Sequence, residues 1–175
     1  MNESLDIIGS YLIGGAIVLA LVALTLTYNN RAQETKLSEI AQRTTQDAGK
    51  IIEYDFNKLG YRVTTGNKII SITKSSITFL ADLDNNATTD TITYSVIKQN
   101  DGLYLSREVT AGSQTKSWTM PVQSFNISGI DSTGSSTYNT ANVKGISISF
   151  VTSKQSSSLY TIGAFWQRDF FPKNL

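Results

Sequence analysis

The residues best suited to chemistry are oxygen-bearing side chains that alternate within one short stretch. The pattern D-x-D-x-N-x-T-x-D places them at Asp82, Asp84, Asn86, Thr88 and Asp90. Oxygen ligands at every second position can wrap around a hard cation such as calcium. The stretch departs from an EF-hand, because Ala87 stands where that loop has Gly and Thr93 stands where it has a bidentate Glu. A polar hairpin turn whose Asx side chains bond their own backbone explains the same residues. We therefore expect weak or no calcium binding at Asp82, Asp84, Asn86 and Asp90.

The rest of the sequence offers little for catalysis. The chain has no His and no Cys, which removes the commonest general base and any thiolate metal ligand. No Gly-x-Ser-x-Gly, Walker or dinucleotide-binding glycine pattern is present, and Glu53 and Asp55 point apart on a predicted helix. The net charge of +1 gives no strong attraction for nucleic acid. We expect no enzymatic activity, no resident cofactor, no nucleic-acid partner and no small-molecule substrate.

The elements that position these residues begin with an uncharged stretch from Ile7 to Tyr28, IIGSYLIGGAIVLALVALTLTY. About twenty apolar residues in a helix cross a bilayer core of roughly 30 Å. Residues 1–28 are therefore predicted to form a transmembrane anchor helix. A buried core helix is the first alternative, but no polar face interrupts the run. A cleaved secretory signal is the second, but the preceding residues MNESLD include no Lys or Arg.

Residues 29–60 are predicted to continue the anchor as an amphipathic helix. They contain no Pro, and Gly60 stands where a left-handed cap would end the helix. Apolar and small residues recur at steps of three and four at Leu37, Ile40, Ala41, Thr44, Ala48, Ile51, Ile52, Phe56 and Leu59. This period is typical of a helix packed against a core. We predict unbroken helix from about Ile7 to Leu59, a rod on the order of 80 Å long.

After Gly60 the hydrophobic period shortens to about two residues, which predicts strands. The candidate strands are 68–72, 76–81, 91–97, 103–109, 116–120, 122–128, 143–152 and 160–171. Turn signals such as that at 100–102 separate neighbouring strands and favour an antiparallel meander. The predicted fold class is α+β, with residues 61–175 as an antiparallel β-sheet domain. We predict a core of Ile40, Ala48, Ile51, Phe56, Ile77, Phe79, Ile92, Tyr94, Ile146, Ile148 and Phe150.

This layout resembles that of type IV pilins and pseudopilins, specifically their larger minor subunits. Residues 52–62, IEYDFNKLGYR, resemble the end of the long helix in those subunits, and 76–84 with 90–94 resemble their first central hairpin. The last five residues, FPKNL, are similar to a common ending in that group. The resemblance covers most of the chain. It implies a pilin-like fold, in which a membrane helix continues into an amphipathic helix packed on an antiparallel sheet.

The N-terminus departs from that family. Its members carry a short basic leader that ends in Gly, is cut by a processing peptidase and precedes a Glu at the fifth mature position. No such leader is recognisable here, and Leu5 is the fifth residue. We expect that Met1 is a processed end or that the protein is an uncleaved relative. The resemblance implies assembly through the apolar helix, with Glu3 or Asp6 pairing with a neighbour's terminal amine, because an acid buried in lipid needs such a partner.

Within the apolar stretch, Ala16 and Ala20 stand four residues apart and share one face of the helix. Small residues allow membrane helices to approach closely. The same residues are also common in membrane helices that have no such partner. We include Ala16 and Ala20 with Glu3 and Asp6 as candidate assembly residues.

Our functional expectation is a structural pilin-like subunit that joins other such subunits in a type IV pilus or secretion-type filament. The alternative is an uncleaved single-pass membrane protein whose β domain binds a ligand, a glycan or calcium. The charge rule for membrane topology counts Arg31, Lys36 and Arg43 after the anchor and none before it, which favours a cytoplasmic domain. The resemblance implies the opposite orientation. We follow the resemblance and expect an inner-membrane anchor with the β domain in the periplasm or outside the cell.

Overall fold

The computed structural model describes residues 3–64, 66–99, 102–152, 154–155 and 161–175. One helix, α1 Glu3–Asn57, contains 55 residues and is followed only by strands and turns in the described part of the chain. The strands are β1 Ile69–Ile72, β2 Ser76–Ala81, β3 Asp90–Gln99, β4 Gly102–Ala111, β5 Gln114–Ile130, β6 Ser136–Thr137, β7 Gly145–Thr152, β8 Lys154–Gln155, β9 Thr161–Ile162 and β10 Phe165–Phe170. The α+β fold class is therefore confirmed.

The helix is continuous through the boundary between its apolar and amphipathic parts, which confirms the predicted rod of about 80 Å. It ends at Asn57, two residues before the predicted end. Turns follow, and Gly60 has a φ of 74°, the left-handed conformation that glycine adopts without steric cost. The Gly60 N–H donates to the Leu80 carbonyl of β2 at 2.9 Å, so the chain leaves the helix already attached to the sheet.

The described strands form one main antiparallel sheet in the order β1-β2-β3-β4-β5-β7-β10, with β6 paired to β5. Strands β8 and β9 form a separate two-stranded ribbon. The main sheet is curled, because the turn between β1 and β2 reaches β5, where Ile127 N–H donates to the Lys74 carbonyl at 3.0 Å. The order confirms the predicted meander.

Strand β5 differs from the prediction, because the two short strands expected on either side of Pro121 are one strand. Its first half pairs with β4, whereas its second half pairs with β7 from Val122 onward. Pro121 pairs with Tyr104 of β4 and lies one residue before the pairing with β7 begins.

The core lies between the second half of α1 and the concave face of the sheet. Nine of the eleven predicted core residues are buried: Ala48, Phe56, Ile77, Phe79, Ile92, Tyr94, Ile146, Ile148 and Phe150. The prediction is wrong for Ile40 and Ile51, which are 46% and 37% exposed. The buried stripe runs instead through Ala41, Thr45, Ala48, Ile52, Asp55, Phe56 and Leu59. A residue one position away points about 100° around the helix, so Ile51 leaves the core where Ile52 enters it.

The helix lies close to the sheet where its stripe is made of small residues. A Cβ atom added to Gly49 would lie 2.5 Å from Nε1 of Trp166 on β10. The Trp166 ring in turn packs against Phe150, with ring centroids 5.2 Å apart. Gly49 therefore serves the packing of an indole ring on the helix backbone.

Candidate functional site: a projecting apolar helix and an acidic loop

The first half of α1 projects beyond the sheet domain. Its large apolar side chains from Ile7 to Tyr28 are all more than half exposed in the isolated chain. The segment has the length and composition to cross a membrane, and none of it is buried by the rest of the described chain. A continuous apolar surface of this size requires a cover other than water. These properties are compatible with a membrane anchor.

Two threonine hydroxyls within this segment bond to the helix itself. Thr25 Oγ1 donates to the Leu21 carbonyl at 2.8 Å, and Thr27 Oγ1 donates to the Ala23 carbonyl at 2.9 Å. Hydroxyls satisfied in this way need no water, which suits a helix in lipid.

The predicted assembly residues lie on or before this segment. Ala16 and Ala20 are exposed, and a Cβ added at Gly14 or Gly15 would meet nothing within 4 Å. The small-residue face is therefore open along this length of the helix. The side chains of Glu3 and Asp6 lie outside the described part of the structure.

At the other end of α1, a buried ionic group joins the helix to the sheet. Asp55 is fully buried and accepts two hydrogen bonds from Arg107 on β4, at 2.5 Å from Nε and 2.9 Å from Nη2. The Tyr94 hydroxyl on β3 donates to the same carboxylate at 2.6 Å. The planar guanidinium fork matches the carboxylate, and the phenol occupies a further lone pair.

The electrostatics of this group fit a structural role. Burial and the nearby Asp55 carboxylate raise the pKa of Tyr94 well above its usual value, so the phenol stays protonated as a donor. Burial opposes the charge of Arg107, but its bonds to Asp55 outweigh this and leave its pKa raised. Sequence reasoning missed the group, because it considered Asp55 only as a partner for Glu53. The signal in the sequence was the position of Asp55, which lies on the same face of the helix as the apolar residues Ile52 and Phe56.

The acidic stretch forms the loop between β2 and β3 together with the first residue of β3, and residues 82–90 are here called the acidic loop. Asp82 Oδ1 accepts the Asn86 N–H and Oδ2 accepts the Ala87 N–H, both at 3.1 Å. Asp84 also accepts the Asn86 N–H at 3.1 Å. The Asx bonds expected of a polar hairpin are thus present. Asn85 and Ala87 have φ values of 62° and 66°, so Ala87 holds the left-handed conformation for which an EF-hand has Gly.

Two cations from the turns that follow α1 contact the acidic loop. Lys58 Nζ donates to the Leu83 carbonyl at 2.6 Å and to Asn85 Oδ1 at 3.1 Å. Arg62 Nη1 lies 3.0 Å from Asp82 Oδ2. Burial opposes the charge of Asp82, but Arg62 and the backbone N–H donors outweigh it and lower the pKa of this carboxyl. Asp82 is thus held as a carboxylate.

The structure brings together three of the four predicted metal-binding residues. One carboxylate oxygen each from Asp82, Asp84 and Asp90 lie within 4.8 Å of one another. The fourth, Asn86, uses its Oδ1 to accept the Thr88 N–H at 2.8 Å. The carboxylates of Asp82 and Asp90 are buried, and that of Asp84 is exposed. Oxygen donors in this arrangement suit a hard cation.

Comparisons of the chain with protein-family models, with curated proteins and with solved structures found no match. The resemblance to pilin-like proteins therefore rests on the sequence motifs. The architecture is consistent with it at the level of one long helix packed on an antiparallel sheet.

Proposed function

We propose that this protein is a non-enzymatic structural subunit, anchored in a membrane by the first half of α1 and assembling with other pilin-like subunits through that helix. The observation that carries the proposal is the continuity of α1. One helix includes both an uncovered apolar half and a half that is packed into the domain core. The domain is thus attached to its anchor by a rigid rod.

A rigid connection is more than a membrane anchor alone requires. Between Tyr28 and Ala41, the first buried residue of the stripe, α1 continues for about 18 Å with no buried residue. A flexible linker would tether a domain equally well. A continuous helix instead sets the orientation of the domain relative to the membrane, which benefits a subunit that packs in register with neighbours.

The proposed location of the β domain is the periplasm or the cell exterior. The three basic residues that the charge rule counts alternate with acids on an exposed helix surface, and one of them, Arg43, pairs with Glu39 at 2.6 Å. The charge rule applies best to short loops, and a folded domain can be translocated despite its flanking charges, so we follow the orientation implied by the resemblance.

Assembly through the helix can be tested with substitutions on its small-residue face. We expect Ala16→Leu with Ala20→Leu to abolish the ladder of crosslinked species obtained from native membranes, because larger side chains prevent close approach. Val18→Leu is the matched control, since Val18 lies on the opposite face of the same helix, and it should leave the ladder unchanged. Equal ladders from both variants would contradict the proposed interface.

The topology and the processing need two further measurements. Protease added to spheroplasts should digest the chain beyond Lys50 while the anchor survives, and protection until lysis would show a cytoplasmic domain. Mass spectrometry of the purified N-terminus distinguishes a processed subunit from the alternative single-pass receptor. A processed or methylated end supports assembly, whereas an unprocessed end favours the receptor.

A further inference from the structure

The acidic loop contains a polar group that its own hydrogen bonds leave unexplained. Asp90, the first residue of β3, is 1% exposed. Its Oδ2 accepts the Leu83 N–H at 3.0 Å. Its Oδ1 is buried and has no hydrogen-bond donor among the described residues. A buried carboxylate oxygen without a partner is costly, and native proteins rarely keep one without an ion, a water or a functional reason.

We propose that the acidic loop binds one calcium ion through Asp82, Asp84 and Asp90. The sequence favours a hairpin turn without a metal, and the unpartnered Asp90 Oδ1 is the observation that changes this interpretation. The proposal is independent of the function of the helix.

The remaining acceptor capacity of the loop fits an ion. A carboxylate oxygen has about two lone pairs. Asp82 Oδ2 uses both for Arg62 and Ala87, whereas Asp82 Oδ1 uses one for Asn86. Each oxygen of Asp84 accepts one bond from Asn86 and keeps one lone pair. One oxygen of each of the three carboxylates lies within 4.8 Å of the other two, and each carboxylate keeps an oxygen with acceptor capacity for an ion.

The neighbouring side-chain cations, Arg62 and Lys58, bond to other atoms of the acidic loop and do not occupy the proposed ion position. Arg62 contacts Asp82 through Oδ2 and the Asn85 carbonyl, and Lys58 contacts the Leu83 carbonyl and Asn85 Oδ1. A cleft lined by Asp84, Asn86, Asp90 and Lys116, among others, adjoins the cluster. The cleft gives an ion and its remaining water ligands a route from solvent.

The donor set determines which ion is expected. All three groups are carboxylates, which select hard cations over zinc or copper. Calcium accepts irregular coordination completed by water, whereas magnesium requires near-octahedral geometry. Because Arg62 already offsets part of the charge of Asp82, we expect a weak site, with a dissociation constant on the order of 10⁻⁴ to 10⁻³ M.

The test uses the full chain in detergent, with calorimetry and thermal unfolding in EDTA, calcium chloride and magnesium chloride. We expect one calcium ion to bind and to raise the unfolding midpoint, and magnesium to have a smaller effect. Asp90→Asn should weaken calcium binding at least about tenfold and unfold in EDTA no earlier than the unmodified protein, because it removes the unpaired anionic oxygen. Asp84→Asn, at the exposed acid, provides a second variant that does not disturb the core.

The matched control is Asp131→Asn. Asp131 also caps its own loop, with Oδ1 accepting the Thr133 and Ser135 N–H groups, but it belongs to no acidic group among the described residues. It should keep full calcium binding. The proposal is overturned if calcium at about 10 mM changes neither the heat nor the midpoint, or if Asp90→Asn and Asp84→Asn both bind as the unmodified protein does.

Discussion

The two halves of α1 belong to one helix but meet different surroundings. From Ile7 to Tyr28 the apolar side chains cover the whole circumference and remain exposed. From Ala41 to Asn57 the buried apolar side chains form a narrow stripe that the sheet covers, and Ile51 and Tyr54 lie outside it. A helix that is apolar all round needs an apolar solvent, whereas an amphipathic helix needs only one packing partner. The distribution of apolar residues around the helix, more than their number, thus separates the anchor from the packed half.

The polar residues of the two halves differ in the same way. In the projecting half Thr25 bonds the preceding turn of its own helix. In the packed half Thr45 also bonds Ala41 in its own helix, but its Oγ1 lies 2.8 Å from Thr152 Oγ1 on β7. Asp55 likewise reaches β3 and β4. The packed half therefore has directional hydrogen bonds that fix its rotation on the sheet. The hydrogen bonds of the projecting half do not fix its rotation against any partner.

The largest expected effect comes from the buried ionic group. Asp55→Ala should lower the free energy of unfolding by about 3–5 kcal/mol, because it leaves the Arg107 guanidinium partly buried without its carboxylate. Denaturant unfolding of the full chain in detergent, followed by the fluorescence of Trp118 and Trp166 in the sheet domain, measures this. Asp47→Ala on the exposed face is the control and should change little. Similar unfolding midpoints for both variants would mean that the buried ionic group does not stabilise the packing of α1 on the sheet.

A pair of adjacent substitutions tests the rotation of the packed half. Ile52→Ala should cost about 2–5 kcal/mol through lost burial and a cavity, and Ile148→Ala on β7 should cost a similar amount. Ile51→Ala should cost far less, because that side chain is 37% exposed. The same fluorescence-detected denaturation distinguishes the two. A larger loss of stability from Ile51→Ala than from Ile52→Ala would mean that Ile51, and not Ile52, faces the sheet.

Two glycines on the same helix provide the next comparison. Gly49→Val should cost about 1–3 kcal/mol, because the new side chain collides with the Trp166 ring. Gly14→Val is the control in the projecting half, where an added Cβ meets nothing. It should leave the unfolding of the sheet domain unchanged. An equal loss from both would indicate that the two halves unfold as one unit.

The smallest expected effect concerns the exposed ion pair of the packed half. Glu39→Gln removes the pair with Arg43, whose side chains are both mostly exposed. The free energy of unfolding should fall by less than about 0.5 kcal/mol, and added salt should erase the difference. A loss that persists in high salt would show that this surface is covered by something other than solvent.

Much of the architecture could be predicted because it depends on local periodicity. The absence of Pro before Gly60 and the change of hydrophobic period after it predict one long helix followed by strands. The turn signals between strands predict a meander, since short connections make sequential neighbours pair. Each of these inferences concerns residues that are close in sequence, so no distant contact is needed to make them.

The tertiary structure decided what depends on distant partners. Ile51 and Ile52 are equivalent by composition, and only the position of the sheet determines which is buried. From the sequence alone Pro121 is expected to end a strand, but β5 continues past it because the strand changes partner there from β4 to β7. Asp55 and Arg107 are 52 residues apart, and Asp90 Oδ1 is left without a donor by the packing around it. Burial and hydrogen-bond pairing are decided only in the folded chain, because the residues that exclude water from a side chain and bond to it are remote along the sequence.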